Sequence, residues 1–242
     1  MSTTACIIQA RLGSTRLSAK VLLPLPSGRT VLEEVVFRCR QIKGVDVVVV
    51  AVADDAGSDI VADHAMKARF APRDEPGSDL SPLLVTRGPE HDVLKRYVMA
   101  AEEVKADIVM RVTADCPLID SEVCAEVLDH FNEIQKTHTG PLYCSNVHPR
   151  SYPKGLDCEV FSMSALKQAD EWGLEPECRE HVTAYMVDSS IAVGNVRDEQ
   201  DRSEIRWTLD TIADYITIWN EFEYEKTVRE WQDAPRVGRE MI

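Results

Sequence analysis

Hydrophobic positions along this chain follow two periods. Short runs that are apolar at nearly every position, around Ile7-Ile8 and over residues 45–52, 83–86 and 107–113, alternate with longer stretches in which apolar residues recur every three or four positions. The β-branched run Val47-Val48-Val49-Val50 marks a strand buried on both faces, as in a parallel sheet covered by helices. Residues 29–42, with Leu32, Val35, Val36 and Cys39 at helical spacing, predict an amphipathic helix. Further helices are expected from the Asp54-Asp55 turn to about residue 69, over 92–104 and over 121–135, where Ser121 is the expected N-cap and Glu122 suits the first turn. Residues 70–82 are rich in Pro, Gly and charge, have no period and read as a surface loop or a mobile lid. Beyond residue 140 the alternation loosens. Strands are expected at 142–147, 157–161, 191–197 and 205–209, and helices at 164–172, 177–187 and from Thr211 onward. The pattern predicts one α/β domain over residues 1–242, with a mostly parallel central sheet and an elaborated C-terminal half from about residue 140.

Charge narrows the choice of partner. Acidic residues number 41 against 27 basic ones, a formal net charge of -14, and a field of that sign repels nucleic acid and anionic membrane surfaces. No apolar run approaches the roughly 20 residues that span a bilayer, and Met1-Ser2-Thr3-Thr4 carries no basic leader pattern, so the expected location is cytoplasmic. Seven cysteines lie singly with no C-x-x-C pair, which predicts reduced, mostly buried thiols.

Against this acidic background one basic cluster stands out. The first strand runs into Arg11-Leu12-Gly13-Ser14-Thr15-Arg16-Leu17-Ser18-Ala19-Lys20, gathering Arg11, Arg16 and Lys20 where backbone N–H groups also face outward. Such a loop suits a polyphosphate. It is not a Walker loop, because Lys20 lies seven residues after Gly13 and is followed by Val21, and no G-x-G-x-x-G follows the strand. In open α/β sheets ligands bind outside the carboxyl ends of the strands. Arg11, Asp54, Asp115 and Asp210 each follow a strand candidate. Asp54 reads best as a turn or cap, whereas Asp115 and Asp210 read equally as turn residues and as displayed carboxylates. Two carboxylates together with phosphate oxygens suit Mg²⁺.

The segment from Ile8 to Leu22 resembles the signature of the SpsF-like cytidylyltransferase family, which is related to acylneuraminate and Kdo cytidylyltransferases. Arg87-Gly88 leading to Asp92-Val93-Leu94-Lys95-Arg96-Tyr97, Thr113-Ala114-Asp115-Cys116-Pro117, Gly155-Leu156-Asp157-Cys158-Glu159, Arg179-Glu180-His181 and Trp207-Thr208-Leu209-Asp210 continue the likeness in order. The resemblance implies a Rossmann-like nucleotidyltransferase fold and transfer of CMP from CTP to a sugar acid or related polar metabolite for surface polysaccharide, with release of pyrophosphate. It also implies Mg²⁺ as cofactor and a homodimer paired through the C-terminal half. Carried over by motif, Gln9, Ala10, Arg11, Gly13, Ser14, Arg16 and Lys20 hold the nucleotide, with Arg87 and Asp92 in the same pocket. Arg11 and Lys20 clamp the triphosphate, and Asp115 and Asp210 hold the metal. Asp157 and Glu159 face the acceptor, although Asp157 is also a candidate metal ligand or general base. Where the family has Pro-Gly before the lysine, this chain has Ser18-Ala19, which removes one rigid and one permissive backbone position. The rival readings are a nucleotide-sugar-dependent glycosyltransferase, which typically presents a D-x-D motif where this chain has Asp-Cys-Pro, and a non-catalytic nucleotide-binding protein.

Overall fold

The computed structural model describes residues 2–14, 16–55, 57–68, 80–189 and 191–232. The parallel half of its sheet is built by β1 (Thr4–Ala10), β2 (Val47–Ala53), β3 (Leu83–Gly88) and β4 (Ile108–Thr113). β5 (Leu142–Ser145), β6 (Glu159–Ser162) and β7 (Ala192–Asn195) complete it in the order β3-β2-β1-β4-β6-β5-β7. β1 pairs in parallel with both β2 and β4, and only β6 runs against its neighbours. The chain steps outward from β1 to β3 and then returns across β1 to β4. A crevice forms at that reversal, at the carboxyl ends of the strands. Because β6 is reversed, its amino end carries Glu159 to the same edge.

Alternate side chains explain why the parallel strands are so apolar. Cys6, Ile8, Val48, Val50 and Val112 face one core, packed by α1 (Val31–Cys39), α2 (Ser58–Lys67) and α4 (Ser121–Gln135). Ala5, Ile7, Val49, Ala51 and Val109 face the other, packed by α3 (Val93–Glu103) and α5 (Met163–Trp172). β2 is buried at every position, as its β-branched run predicted. Local chemistry fixes the helix starts. Thr30 and Glu33 form a capping box on α1, and the Asp92 carboxylate accepts from the Lys95 N–H at the start of α3.

Three expectations change. The N-cap of α4 is Asp120, not Ser121. Its carboxylate accepts from the N–H groups of Glu122 and Val123 at 2.8 and 3.0 Å, and a full negative charge suits the helix dipole better than a hydroxyl. The helix expected over 177–187 is two short ones, α6 (Pro176–His181) and α7 (Ala184–Asp188). Between them Val182 has φ 59°, and the Thr183 hydroxyl donates to the buried Glu159 carboxylate at 2.8 Å, which breaks the helix. The segment 205–209 is not a strand but a strap with one parallel bridge, Lys154 to Arg206. The loop expected at 70–82 lies mostly outside the described residues, which resume at 80. The long α8 (Ile212–Gln232) begins where predicted. All seven cysteines are free, six of them buried.

Candidate active site

β1 ends at Ala10, and the loop beyond it stays open: a Cβ added at Gly13 would meet nothing within 4 Å. The loop closes when the Ala19 N–H donates to the Leu12 carbonyl at 3.2 Å, and a single 3-10 turn, Lys20–Leu22, follows. Closure puts Ala19 at φ 53°, ψ 25°, the left-handed region, which costs a residue with a Cβ about 1 kcal/mol relative to glycine. The departure from Pro-Gly therefore keeps the turn at a cost in strain.

The turn sends Lys20 back across the sheet edge. Its Nζ donates to Asp115 Oδ2 at 2.6 Å, to the Leu209 carbonyl at 2.7 Å and to Asp210 Oδ1 at 2.9 Å, using all three protons. Arg16 Nη2 lies 2.9 Å from the same Asp210 oxygen, and Arg206 Nη2 donates to Oδ2 at 2.6 Å. Asp115 is displayed by the turn after β4, where Ala114 N–H donates to the Gln9 carbonyl and Cys116 N–H to that of Thr113. Asp210 arrives from 95 residues away on the strap. At Gly155 (φ 116°) a Cβ would sit 2.6 Å from the Trp207 carbonyl carbon, so only glycine lets the two backbones touch. The Leu209 N–H then donates to the Asp115 carbonyl at 2.9 Å, and Asp214 holds the backbone N–H groups of Asp210 and Thr211.

Three cations and three carboxylates thus interlock: Arg16, Lys20 and Arg206 with Asp115, Asp210 and Asp214. Burial works against the charge on Lys20, but Asp115 and Asp210 outweigh it and hold its pKa above the ordinary lysine value. Burial likewise opposes ionisation of Asp210, yet Lys20, Arg206 and Arg16 hold its pKa below the usual carboxylate value. Burial pushes the neighbouring Cys116 thiol well up, so it is no nucleophile.

The structure brings Arg16, Lys20, Asp115 and Asp210 together and disperses other predicted site residues. Arg11 is half-exposed and stands 3.9 Å from Glu180 on α6. Ala10 is buried at the strand end, and Ser14 Oγ lies 3.5 Å from the Leu17 N–H within the loop. Arg87 pairs with Asp59 on α2 at 2.6 Å. Asp92 caps α3 and accepts from Arg179 at 2.9 and 2.7 Å, which ties down α6. Register places Gln9, Ala51 and Thr86 side by side on the face that α3 covers. Gln9 Oε1, Thr86 Oγ1 and the Nε and Nη1 of Arg96 are all buried without a hydrogen-bond partner. Arg96 is 2% exposed, packed where Gly88 has no side chain, and burial lowers its pKa. Sequence reasoning did not single it out. The available signal was an arginine among Val93, Leu94 and Tyr97, on the apolar stripe of its helix.

Next to this edge lies a cavity of about 330 Å³ whose walls include Arg111, Asp157, Glu159 and Thr183, with His148, Glu177, His181 and Asp188 among its other lining residues. Both oxygens of Glu159 are occupied, one by Arg111 and the other by the hydroxyls of Tyr143 at 2.7 Å and Thr183 at 2.8 Å. Asp157 is held by both terminal nitrogens of Arg150, at 2.5 and 2.8 Å. It faces the cavity as an anion that already has a partner.

The family profile described as Cytidylyltransferase matches residues 5–232. The chain belongs to the cytidylyltransferase family. This cytidylyltransferase is 34% identical over 223 residues to the spore coat polysaccharide biosynthesis protein SpsF of Bacillus subtilis (strain 168), covering 88% of this chain and 83% of that protein. It is 26% identical over 222 residues to the 3-deoxy-manno-octulosonate cytidylyltransferase of Anaeromyxobacter sp. (strain K), 85% of each. Among solved structures it resembles a cytidylyltransferase from Leptospira borgpetersenii serovar Hardjo-bovis (strain JB197), with a TM-score of 0.81, 28% identity and coverage of 99% and 100% of the two chains. The cytidylyltransferase is thus a nucleotidyltransferase of α/β fold, and the expected family and fold class both hold.

Proposed function

We propose that this cytidylyltransferase binds CTP at the Arg11–Lys20 loop and transfers CMP to a hydroxyl of a polar metabolite destined for a surface polysaccharide. The observation that carries the reading is Lys20 seated between Asp115 and Asp210, beside an open loop at the switch point of the sheet. The link to polysaccharide rests on the name of the Bacillus subtilis relative.

An acceptor oxygen attacks the α-phosphorus, a P–O bond forms, and the bond to the bridging α–β oxygen breaks. Pyrophosphate leaves with that electron pair, and the acceptor proton passes to solvent. Such transfer depends on alignment and on charge compensation, with no side-chain nucleophile. Arg11, Arg16 and Lys20 would hold the triphosphate oxygens, and the backbone N–H groups around Gly13 and Ser14 would line them. The buried, unpartnered Oε1 of Gln9 near the end of β1, and the buried Arg96 on α3 with Nε and Nη1 unpartnered, support a nucleotide subsite on the β1–β3 side. Asp115 and Asp210 offer only oxygen donors and already share one cation, a set that fits a hard divalent ion such as Mg²⁺. When bound, that ion would offset charge on the phosphates and lower the pKa of a coordinated hydroxyl.

The same reading has the enzyme in the cytoplasm as a homodimer. The exposed Ile212, Ile216 and Trp219 on α8 support pairing through the C-terminal half. Release of pyrophosphate from CTP across a panel of polar acceptors tests the function. Turnover of a pre-formed nucleotide sugar without pyrophosphate would overturn it.

A further inference from the structure

Arginines around this site spend two nitrogens on acids. Arg179 gives Nε and Nη2 to the two oxygens of Asp92, Arg206 gives the same two nitrogens to Asp214 and Asp210, and Arg150 holds Asp157 with both terminal nitrogens. Arg111, in the wall of the cavity on the β6 side, does not. It stands on β4 directly opposite Glu159 on β6, and only its Nη1 donates to that carboxylate. Its Nε is buried without a hydrogen-bond partner, and among the described residues no hydrogen bond leaves Nη2. Nε–H and the Nη2–H beside it form the edge of a guanidinium that matches two coplanar oxygens. An ionised donor held unpaired away from water is costly, and a ligand that brings the missing acceptor removes the cost. The surroundings keep that edge in place. Glu159 is 5% exposed and spends its other oxygen on the hydroxyls of Tyr143 and Thr183, at 2.7 and 2.8 Å, so it is already engaged. The Arg111 side chain keeps 15% exposure, and the cavity that it lines is where that part is reached.

Resting on the proposed cytidylyl transfer, we infer that Arg111 is the residue that selects the acceptor, its unused Nε–Nη2 edge taking a carboxylate of that molecule through two parallel hydrogen bonds. Glu159, expected to face the acceptor, is then a positioning residue: it holds the guanidinium by Nη1 and touches no substrate. Tyr143 and Thr183 hold Glu159 in turn, and Thr183 lies at the break between α6 and α7, so one bond network sets both the arginine and the helices beside it. Glu177 and Asp188, also in the lining, are exposed and screened by solvent, whereas a charge-assisted bond to the largely buried Arg111 is stronger for its surroundings. An alcohol in place of the carboxylate offers a single oxygen to two N–H groups. The carboxylate takes no part in bond-making. A hydroxyl of the acceptor still attacks, so the bonds made and broken are those already described.

The test crosses one substitution with one change in the acceptor. A sugar acid, the alcohol made by reducing its carboxylate and the phosphonate of the same skeleton are each assayed with CTP for pyrophosphate release. Wild type is compared with Arg111→Lys, which keeps a cation beside Glu159 but has no second edge. Wild type should favour the acid over the alcohol in kcat/KM by about tenfold or more. Arg111→Lys should cut that ratio by a similar factor, through KM for the acid, with KM for CTP unmoved. Should the single variant fold poorly, the double variant Arg111→Gln, Glu159→Gln, which leaves neither charge buried alone, should erase the ratio. Losses of equal size on acid and alcohol would mark Arg111 as a structural partner of Glu159 and overturn the inference. A wild-type kcat/KM for the alcohol or the phosphonate equal to or above that for the acid overturns it as well, and leaves the proposed transfer standing. No pyrophosphate from CTP with any acceptor overturns the proposed function and this inference with it.

Discussion

The two halves of the ligand edge treat charge in opposite ways. Around Lys20 every ion has a partner within the protein, and three cations and three carboxylates lock a loop, a strand end and a strap into one neutral unit. Around the β6 cavity the inner charges are paired, whereas Glu177 and Asp188 in its lining have no ion pair among the described residues. A set of interlocked ions can exchange one internal partner for a phosphate or a metal with little change in local charge. Unpaired charges at an opening lack that internal exchange and stay solvated.

The comparison breaks first at Asp115. Asp115→Asn should lower the rate of pyrophosphate release by about 10²–10³-fold or more while far-ultraviolet circular dichroism stays unchanged. Near-normal turnover would remove Asp115 from the reaction. Next in size is Gly155→Ala, which puts a Cβ into the Trp207 backbone and should cost about 2–3 kcal/mol of stability in urea titration. Because Gly155 seats the strap and not the cavity, activity should fall through CTP KM more than acceptor KM.

A smaller effect separates the halves by pH. Asp210 sits below its ordinary 3.8, so its stabilisation is complete above that value and is lost as pH falls through the lowered folded value. Lys20 sits above 10.5, so its stabilisation is complete below that value and is lost as pH rises through the raised one. The urea-midpoint difference between wild type and Asp210→Asn should stay level between these limits and shrink at acid pH. A difference that grows on acidification would contradict the pairing. Smallest of all, Ala19→Gly should stabilise the protein by up to about 1 kcal/mol, visible as a rise in Tm, by relieving the left-handed backbone.

Much of the Lys20 half was legible in the sequence, because strands of continuous β-branched residues and charged residues at their ends are local signals. Lys20, Asp115 and Asp210 were read as parts of one site and do converge. The route taken by Asp210 was not legible. Residues 205–209 look like a strand, and only the contact of Gly155 with Trp207, about 50 residues apart, turns them into a strap. Arg87 and Asp92 lie in a segment whose likeness suggested the nucleotide pocket, while the structure uses their charges to hold α2, α3 and α6. Arg96 escaped notice because its burial depends on the missing side chain of Gly88 on another element. Glu177 and Asp188 were invisible for a similar reason. They reach the cavity only because Thr183, bonded to Glu159 some 24 residues back, splits one expected helix into two.

The Lys20 ammonium has a kinetic consequence as well. A divalent ion arriving by itself would have to evict a resident cation held by three hydrogen bonds, whereas a triphosphate offers that lysine a stronger set of acceptors. On the proposed reading, free metal binds poorly to the resting enzyme and the metal–nucleotide complex is the species that enters. Initial velocities should then follow the concentration of that complex, leaving Lys20 to act as a turnstile that opens only for the pair.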